Sequence, residues 1–500
     1  MLKPLKEACG VFGAQDFKQG SVFPYIYWGL RSQNHRGHQS HGLITFDGEF
    51  NLHRELGLVP KMEKEDLQNW LTRLPGHAGI GSIRYTTSGG TDKESLRKGI
   101  QPFLAETDNA KVAMAFNGNI VNNSQLRGEI RVEFPGFSYA CDAELLCRKL
   151  LLGLEGKGSL AASVTACLRD VEGAFSVAGI TQEGELFAFR DPYGIRPLCC
   201  GHSEDNNICA VSSETVGLDI SGLEFDFEVE PGELVVASEN GFTREQLIKC
   251  KRRALCSFEF AYFARPDSRI GDRYVYEIRE DFGRNLGKEY AEITQGADII
   301  ISIPQTSNDA AYGLHEETGI RWERASRRHR YVTERAFILL PRERHSTIDK
   351  KINILDRRLH GKNVAVVEDS IVRGDTTKTI VQKLRRKGAK RVDLFITFPR
   401  IIGPCFYGID MATYGELIGS KHNAQEIAEI IDADTVNYQS LEGLVRATGL
   451  TRDKLCLGCI TSEYPTPLAQ KMANKMKERF EGGHKERGRI YELASEQTIS

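Results

Sequence analysis

Residues 364–377 read Val364-Ala-Val-Val-Glu-Asp-Ser-Ile-Val-Arg-Gly-Asp-Thr-Thr377. Consecutive apolar residues predict a strand buried on both faces. The acidic pair Glu368-Asp369 closes that strand, a short glycine-bearing loop follows, and 376–387 continues with helical spacing. Strand, acidic pair, tight loop and helix start is how an α/β sheet presents a ligand at the carboxyl ends of its strands. The loop Ser370-Ile371-Val372-Arg373-Gly374-Asp375-Thr376-Thr377 would aim backbone N–H groups and a helix N-terminus at a phosphate. Glu368 and Asp369 can hold ribose hydroxyls and Mg²⁺.

The same grammar extends from about Phe258 onward. ADIIISIP, RAFILLP, KNVAVVED and RVDLFITFP are apolar runs separated by helical stretches, which predicts α/β with a mostly parallel sheet. The first half differs. CGVFGA, HAGIGSIRY, KVAMAFNGNI, AFSVAGIT and GELVVAS are strand-like, helices are predicted over 139–154 and 158–170, and the elements come in groups. That pattern predicts an α+β layered domain. The polar, basic stretch 241–257 is the expected boundary, and a helical pattern at 467–480 precedes a Gly- and charge-rich tail. The expected organisation is a leader at 1–8, an α+β domain at 9–240, an α/β domain at 255–465, and a C-terminal helix and tail at 466–500.

Among 500 residues, 66 basic and 68 acidic side chains nearly cancel, so bulk charge argues for neither nucleic acid nor membrane. No apolar run approaches ~20 residues, and the N-terminus has no secretory core, so a cytoplasmic protein is expected. Twelve cysteines are too dilute for a disulfide scaffold. In a reducing compartment they are core residues, metal or cluster ligands, or nucleophiles. Cys147, Cys167, Cys199 and Cys200 lie in apolar or helical contexts and are expected in the core.

Cys9-Gly-Val-Phe-Gly13 stands ahead of a small-residue strand. In order after it come HRGHQSHG (35–42), GSIRYTTSGG (81–90), FNGNIVN (116–122), CDAE (141–144) and RDPYGIRPL (190–198). This set resembles the class II glutamine amidotransferase domain, the N-terminal-nucleophile hydrolase fold. The resemblance implies that Cys9 attacks the carboxamide of glutamine. The free α-amine, exposed by loss of residues 1–8, would be the base; its ordinary pKa of ~7.7–8.0 suits that work. It further implies an oxyanion hole from Asn117 and the Gly118 N–H, a carboxylate clamp at Arg84, an ammonium site at Asp142, and support of the pocket by Arg36.

The string EDSIVRGDTT resembles the phosphoribosyl-pyrophosphate (PRPP) loop of type I phosphoribosyltransferases. Together with FEFAYFARPDS (258–268), HRYVTERAF (329–337) and PCFYGID (404–410), the chain is similar to the amidophosphoribosyltransferase family. That family makes 5-phosphoribosylamine from PRPP, glutamine and water at the head of purine synthesis. The resemblance places Arg328, Arg330 and Arg335 in a loop over pyrophosphate and Lys351 and Asn353 in a substrate contact. It places Mg²⁺ at Thr306, Glu368 and Asp369. Ammonia would cross an apolar path that forms when the loop closes. Purine nucleotide effectors and a homotetramer are family expectations.

Cys456-Leu-Gly-Cys459 alone fits zinc, redox chemistry or nothing. Cys256 and Cys405 stand where cluster-bearing relatives place their other two ligands. The resemblance therefore implies a structural [4Fe–4S] cluster on Cys256, Cys405, Cys456 and Cys459, with a Cys₄ zinc site or reduced core cysteines as the alternatives.

Three departures fall on the phosphoribosyl side. Ile303-Pro-Gln-Thr-Ser307 replaces the usual Pro-Asp-Ser-Gly, removing a carboxylate near the metal and leaving Thr306 for the serine. Asp375 puts a negative charge in the phosphate loop; at ~4 Å from a phosphate that would cost on the order of 4 kcal/mol at an effective dielectric near 20. Thr333-Glu334 replaces a single glycine. These motivate a second reading, a glutaminase-competent paralogue serving another acceptor, and a third, a non-catalytic regulatory homologue.

Overall fold

Small residues dominate the first strand, Gly10–Asp16, because both its faces are covered. The computed structural model describes residues 9–85, 93–156, 158–205, 207–250, 252–328, 352–484 and 486. Within these, thirteen strands build the first unit: β1 (Gly10–Asp16), β2 (Ser40–Phe46), β3 (Phe50–Leu56), β4 (Ala78–Arg84), β5 (Phe103–Glu106), β6 (Lys111–Ile120), β7 (Gly173–Thr181), β8 (Leu186–Arg190), β9 (Cys199–His202), β10 (Ile208–Ser212), β11 (Glu224–Glu228), β12 (Glu233–Ser238) and β13 (Gly241–Gln246). They form two antiparallel sheets, ordered β11-β9-β10-β1-β4-β2-β3 and β13-β12-β8-β7-β6-β5.

The sheets stack face to face. Val11, Ile44, Ile80 and Val211 from one meet Ala113, Ala115, Ala178 and Ala188 from the other. Alternate residues point outward, as the two-residue period of a strand requires. Thus Phe12, Leu43 and Ile83 pack on helix Phe23–Ser32, whereas Met114, Phe116 and Val177 pack on helices Asn123–Glu133, Asp142–Glu155 and Leu160–Asp170. The layers run helix, sheet, sheet, helix. Cys147, Cys167, Cys199 and Cys200 are buried in these layers. Residues 241–246, expected within the boundary stretch, pair with β12 along their whole length and extend the second sheet.

The second unit is built on four parallel strands in chain order: Ile299–Ser302, Asn363–Glu368, Arg391–Ile396 and Thr435–Tyr438. Helices cover both faces, Val275–Glu289 and Asn308–Thr318 among those on one, Asp375–Arg386 and Ala424–Ile431 on the other. RAFILLP lies outside the described residues. A two-residue parallel pairing, Leu255-Cys256 with Leu455-Cys456, ties the start of this unit to its end.

The two units share one core. Val121, Ala174 and Ile195 from the first pack with Phe258, Phe260, Phe406 and Tyr407 from the second. Helix Pro467–Glu481 adds Ala469, Met472, Ala473 and Met476 to it. Glu172 of the first unit accepts from the Leu468 and Ala469 N–H groups at 2.6 and 3.3 Å, a carboxylate on the positive end of that helix. No helix among the described residues is long and apolar enough to cross a membrane.

Candidate active site

Cys9 stands one residue before β1, and the register Gly10↔Ile83 sets it beside Arg84 at the end of β4. Both are buried, at 4% and 3% exposure. The Cys9 thiol lies 3.5 Å from Tyr85 O. Burial pushes this thiol up, opposed by Arg84, the contact to Tyr85 and the charges of Arg196 and Arg36. Arg84 also acts on Asp142, whose carboxyl burial raises against the pull of the Ile120 N–H, Tyr139 and Asn123. Asp142 accepts from Ile120 N at 2.8 Å and from the Tyr139 hydroxyl at 2.7 Å. The Arg84 guanidinium therefore acts on both the Cys9 thiol and the Asp142 carboxylate.

Strand β6 meets the start of β1 through Ser213. Val11 N donates to Ser213 Oγ at 3.0 Å, and Asn117 Nδ2 reaches the same hydroxyl at 3.4 Å. Asn117 Oδ1 is buried without a hydrogen bond. At Gly118 a Cβ would lie 1.9 Å from Ala174 O, so only glycine lets β6 and β7 pair there. Asn119 donates to Phe406 O of the second unit at 3.1 Å.

Arg36 sits behind Cys9, fully buried and fully occupied. Its Nε donates to Cys9 O at 3.0 Å, and its terminal nitrogens to Glu214 at 2.6 Å and Glu259 at 2.7 and 2.8 Å. Burial disfavours both charges, yet the ion pairs outweigh it. Arg36 is held above its usual range by Glu259 and Glu214, and Glu214 well below its own by His35 and Arg36. Glu259 pairs in turn with Arg196 at 3.1 Å, and Arg196 donates to Tyr407 O at 2.6 and 2.9 Å. A continuous buried network thus runs from the Cys9 carbonyl to residue 407. Sequence reasoning missed Glu214, Glu259 and Arg196 as members of it. Glu259 and Arg196 lie inside the quoted strings FEFAYFARPDS and RDPYGIRPL, but their partners are distant in sequence.

In the second unit, Glu368 and Asp369 end the second strand of the parallel sheet. Burial, then Asp369, lifts Glu368 to about 8; burial lifts Asp369 to about 6. Glu368 Oε2 has no hydrogen-bond partner although buried. An orphaned buried carboxylate oxygen beside a second carboxylate fits a divalent cation. Asp369 accepts from Ser370 Oγ at 2.8 Å. Gly374 has φ +85° and caps helix Asp375–Arg386, whose first residue, Asp375, is exposed. Ile371 and Val372 are buried beneath the loop, Thr377 is buried, and Thr376 is exposed. Arg373 is tied to Glu416.

Thr306 is half-buried after the first strand of the parallel sheet. Asp309, not singled out from sequence, acts on buried Arg279, as does Asp369. Asp309 stands three positions after Thr306, in the first turn of helix Asn308–Thr318. Arg328 and Asn353 lie in the short antiparallel pair Ser326–Arg328 and Ile352–Ile354, where Arg328 faces Ile352 and Asn353 faces Arg327. Arg330, Arg335, Lys351 and the leader 1–8 lie outside the described residues.

Cys256, Cys405, Cys456 and Cys459 are all buried, and burial raises all four thiols, with Cys256 pushed up to about 12. The charges of the other three act on Cys459. Four thiols that act on one another at one buried junction fit either a [4Fe–4S] cluster or a Cys₄ zinc site.

Residues 92–219 match the family described as "Glutamine amidotransferase domain". Fold and sites together define an N-terminal-nucleophile, class II glutamine amidotransferase domain followed by an α/β type I phosphoribosyltransferase domain. The amidophosphoribosyltransferases of Methanocaldococcus jannaschii and Bacillus subtilis (strain 168) are each 37% identical over 478 residues, covering 92% and 94% of this chain and 98% and 96% of theirs. The solved structure of glutamine PRPP amidotransferase from B. subtilis, complexed with ADP and GMP, has a TM-score of 0.81 at 36% identity, covering 92% of this chain and 98% of that one. The chain belongs to the amidophosphoribosyltransferase family.

Proposed function

We propose that the chain is an amidophosphoribosyltransferase that hydrolyses glutamine at Cys9 and delivers ammonia to PRPP, forming 5-phosphoribosylamine, glutamate and pyrophosphate, the first step of purine synthesis. The observation that carries this reading is the shared core: the Cys9 pocket and the Glu368-Asp369 pair lie in units joined by a continuous buried junction. The working units are residues 9–240, extended by β13, and 255–465, with 466–500 as the C-terminal segment.

Loss of residues 1–8 frees the α-amine of Cys9, which takes the thiol proton as sulfur attacks the carboxamide carbon. Arg84 and Asp142 hold the α-carboxylate and α-ammonium of glutamine. Asn117 and the Gly118 N–H receive the developing oxyanion. The C–N bond breaks, the protonated amine returns its proton to the leaving nitrogen, and ammonia departs from a thioester that water then hydrolyses to glutamate. Replacing Asn117 by alanine is expected to lower glutaminase kcat roughly 10²–10³-fold, read from glutamate release under saturating glutamine.

Ammonia must travel uncharged, since ammonium is costly in an apolar path. Edge-on aromatic contacts supply such a surface. Arg196 lies over Phe263, Phe263 meets Phe258 at 5.3 Å, and Phe258 meets Phe398 at 4.9 Å. The Phe398 N–H donates to Asp369 O at 3.0 Å.

At the second site Ser370–Thr377 cradle the 5-phosphate and Glu368 and Asp369 the ribose, with Arg328, Arg330 and Arg335 toward pyrophosphate and Lys351 and Asn353 as a further substrate contact. Glu368, Asp369 and Thr306 would hold Mg²⁺, which when bound neutralises the pyrophosphate leaving group. Because Asp375 is exposed, its charge need not oppose the phosphate. The cysteine quartet is assigned a structural [4Fe–4S] cluster. The protein is placed in the cytoplasm as a homotetramer under purine nucleotide control.

The assay is glutamine with and without PRPP and Mg²⁺, following glutamate and pyrophosphate. Both products rising together is the expected result. Glutamate released without dependence on PRPP would favour a paralogue with another acceptor, and no glutamate would leave a regulatory homologue.

A further inference from the structure

Outside both reaction centres, the edge hairpin β2–β3 gathers two imidazoles and a carboxylate. The register pairs His41 with Glu55 and Leu43 with His53, so all three side chains leave the same face of the sheet. Their ligating atoms all lie within 4.8 Å of one another, with His53 Nε2 3.5 Å and His41 Nε2 4.0 Å from Glu55 Oε2. It is the one such trio found among the described residues.

The orientation of each ring is fixed. His41 is 3% exposed, and its Nδ1 lies 3.1 Å from Gly57 O. A carbonyl can only accept, so Nδ1 carries the hydrogen and Nε2 turns a lone pair toward Glu55. His53 packs edge-on against Trp70 of helix Lys64–Arg73 at 4.1 Å, and its Nε2 is buried without a hydrogen bond. Arg73 lies over Trp70. The His41 Nε2 lone pair and the buried, unbonded His53 Nε2 therefore converge on the Glu55 carboxylate.

We propose that His41, His53 and Glu55 form a binding site for a divalent transition-metal ion such as Zn²⁺, with water completing the coordination. Two imidazole nitrogens select such an ion over Mg²⁺ or Ca²⁺. The bond from His41 to Gly57 O is the outer-shell contact that metal-bound histidines usually make. The ion would clasp β3, the edge strand of its sheet, to β2.

The test uses untagged full-length protein stripped of metal, with Co²⁺ and Zn²⁺ as probes. Thiolate ligation of Co²⁺ gives an intense charge-transfer band, whereas nitrogen–oxygen ligation gives only weak visible bands, so the cysteine quartet is told apart. The expected result is one equivalent of nitrogen–oxygen-ligated Co²⁺ and a rise in thermal midpoint on adding Zn²⁺. H53Q should lose both. E55Q should weaken binding by more than ~10-fold, since loss of even an outer-shell contact typically costs ~10–100-fold. Both positions are more exposed than His41, and unchanged far-ultraviolet circular dichroism would show that the variants fold. No nitrogen–oxygen-ligated Co²⁺ in the parent, or equal binding in H53Q, would overturn the site.

Discussion

Cys9→Ala is expected to abolish glutamine-driven formation of product, by roughly 10⁴-fold or more, while the reaction supplied with free ammonia continues. The reason is chemical: no neighbouring side chain can take the place of sulfur. The Ser213 hydroxyl, just past β10, is already engaged by Val11 N and Asn117. The same variant removes little packing, because the thiol is small and lies 3.5 Å from Tyr85 O. Activity with ammonia therefore reports the second site alone. Steady-state glutamate and pyrophosphate release, with each nitrogen source in turn, makes the separation. Glutamine hydrolysis that survives in C9A would end the assignment of the nucleophile. Intact mass of active enzyme still carrying residues 1–8 would end the role of its α-amine.

The second large effect is expected at Glu259. Its carboxylate is fully buried and paired with Arg36 on one side and Arg196 on the other. Glu259→Gln leaves two buried guanidiniums sharing a neutral partner. Removing one member of a buried ion pair usually costs ~3–5 kcal/mol, since the remaining charge stays desolvated. Arg36 keeps Glu214 and Arg196 keeps Tyr407 O, which moderates the loss without cancelling it. A clear fall in the denaturant midpoint is expected, together with a raised KM for glutamine, because Arg36 also holds Cys9 O. Midpoints are the right readout for a chain of two units, where a single unfolding free energy is poorly defined. An unchanged midpoint in E259Q would show that the network contributes nothing to the junction.

Much of the architecture was legible from local pattern. The run Val364–Val367 is apolar throughout because its strand is covered on both faces, and the structure places it second in a four-stranded parallel sheet. Helices expected over 139–154, 158–170, 376–387 and 467–480 appear as Asp142–Glu155, Leu160–Asp170, Asp375–Arg386 and Pro467–Glu481. Polar residues 241–246 give no strand signal because an exposed edge strand lacks the apolar alternation that marks one. Their pairing with β12 is a backbone property that composition does not report.

By itself, the sequence determined which chemistry is present: a cysteine before a small-residue strand, an acidic pair at a strand end, and four cysteines in the second half. Those are short-range signals, set by residue type and period. Only the tertiary structure decided what the buried charges do. Arg36 and Glu259 are 223 residues apart, yet they meet at hydrogen-bonding distance behind the nucleophile. The same holds for Asn119 with Phe406 O, 287 residues away. His41, His53 and Glu55 likewise become a cluster only through the register of one hairpin. Desolvation and pairing depend on which surfaces are pressed together, and no local spacing encodes that.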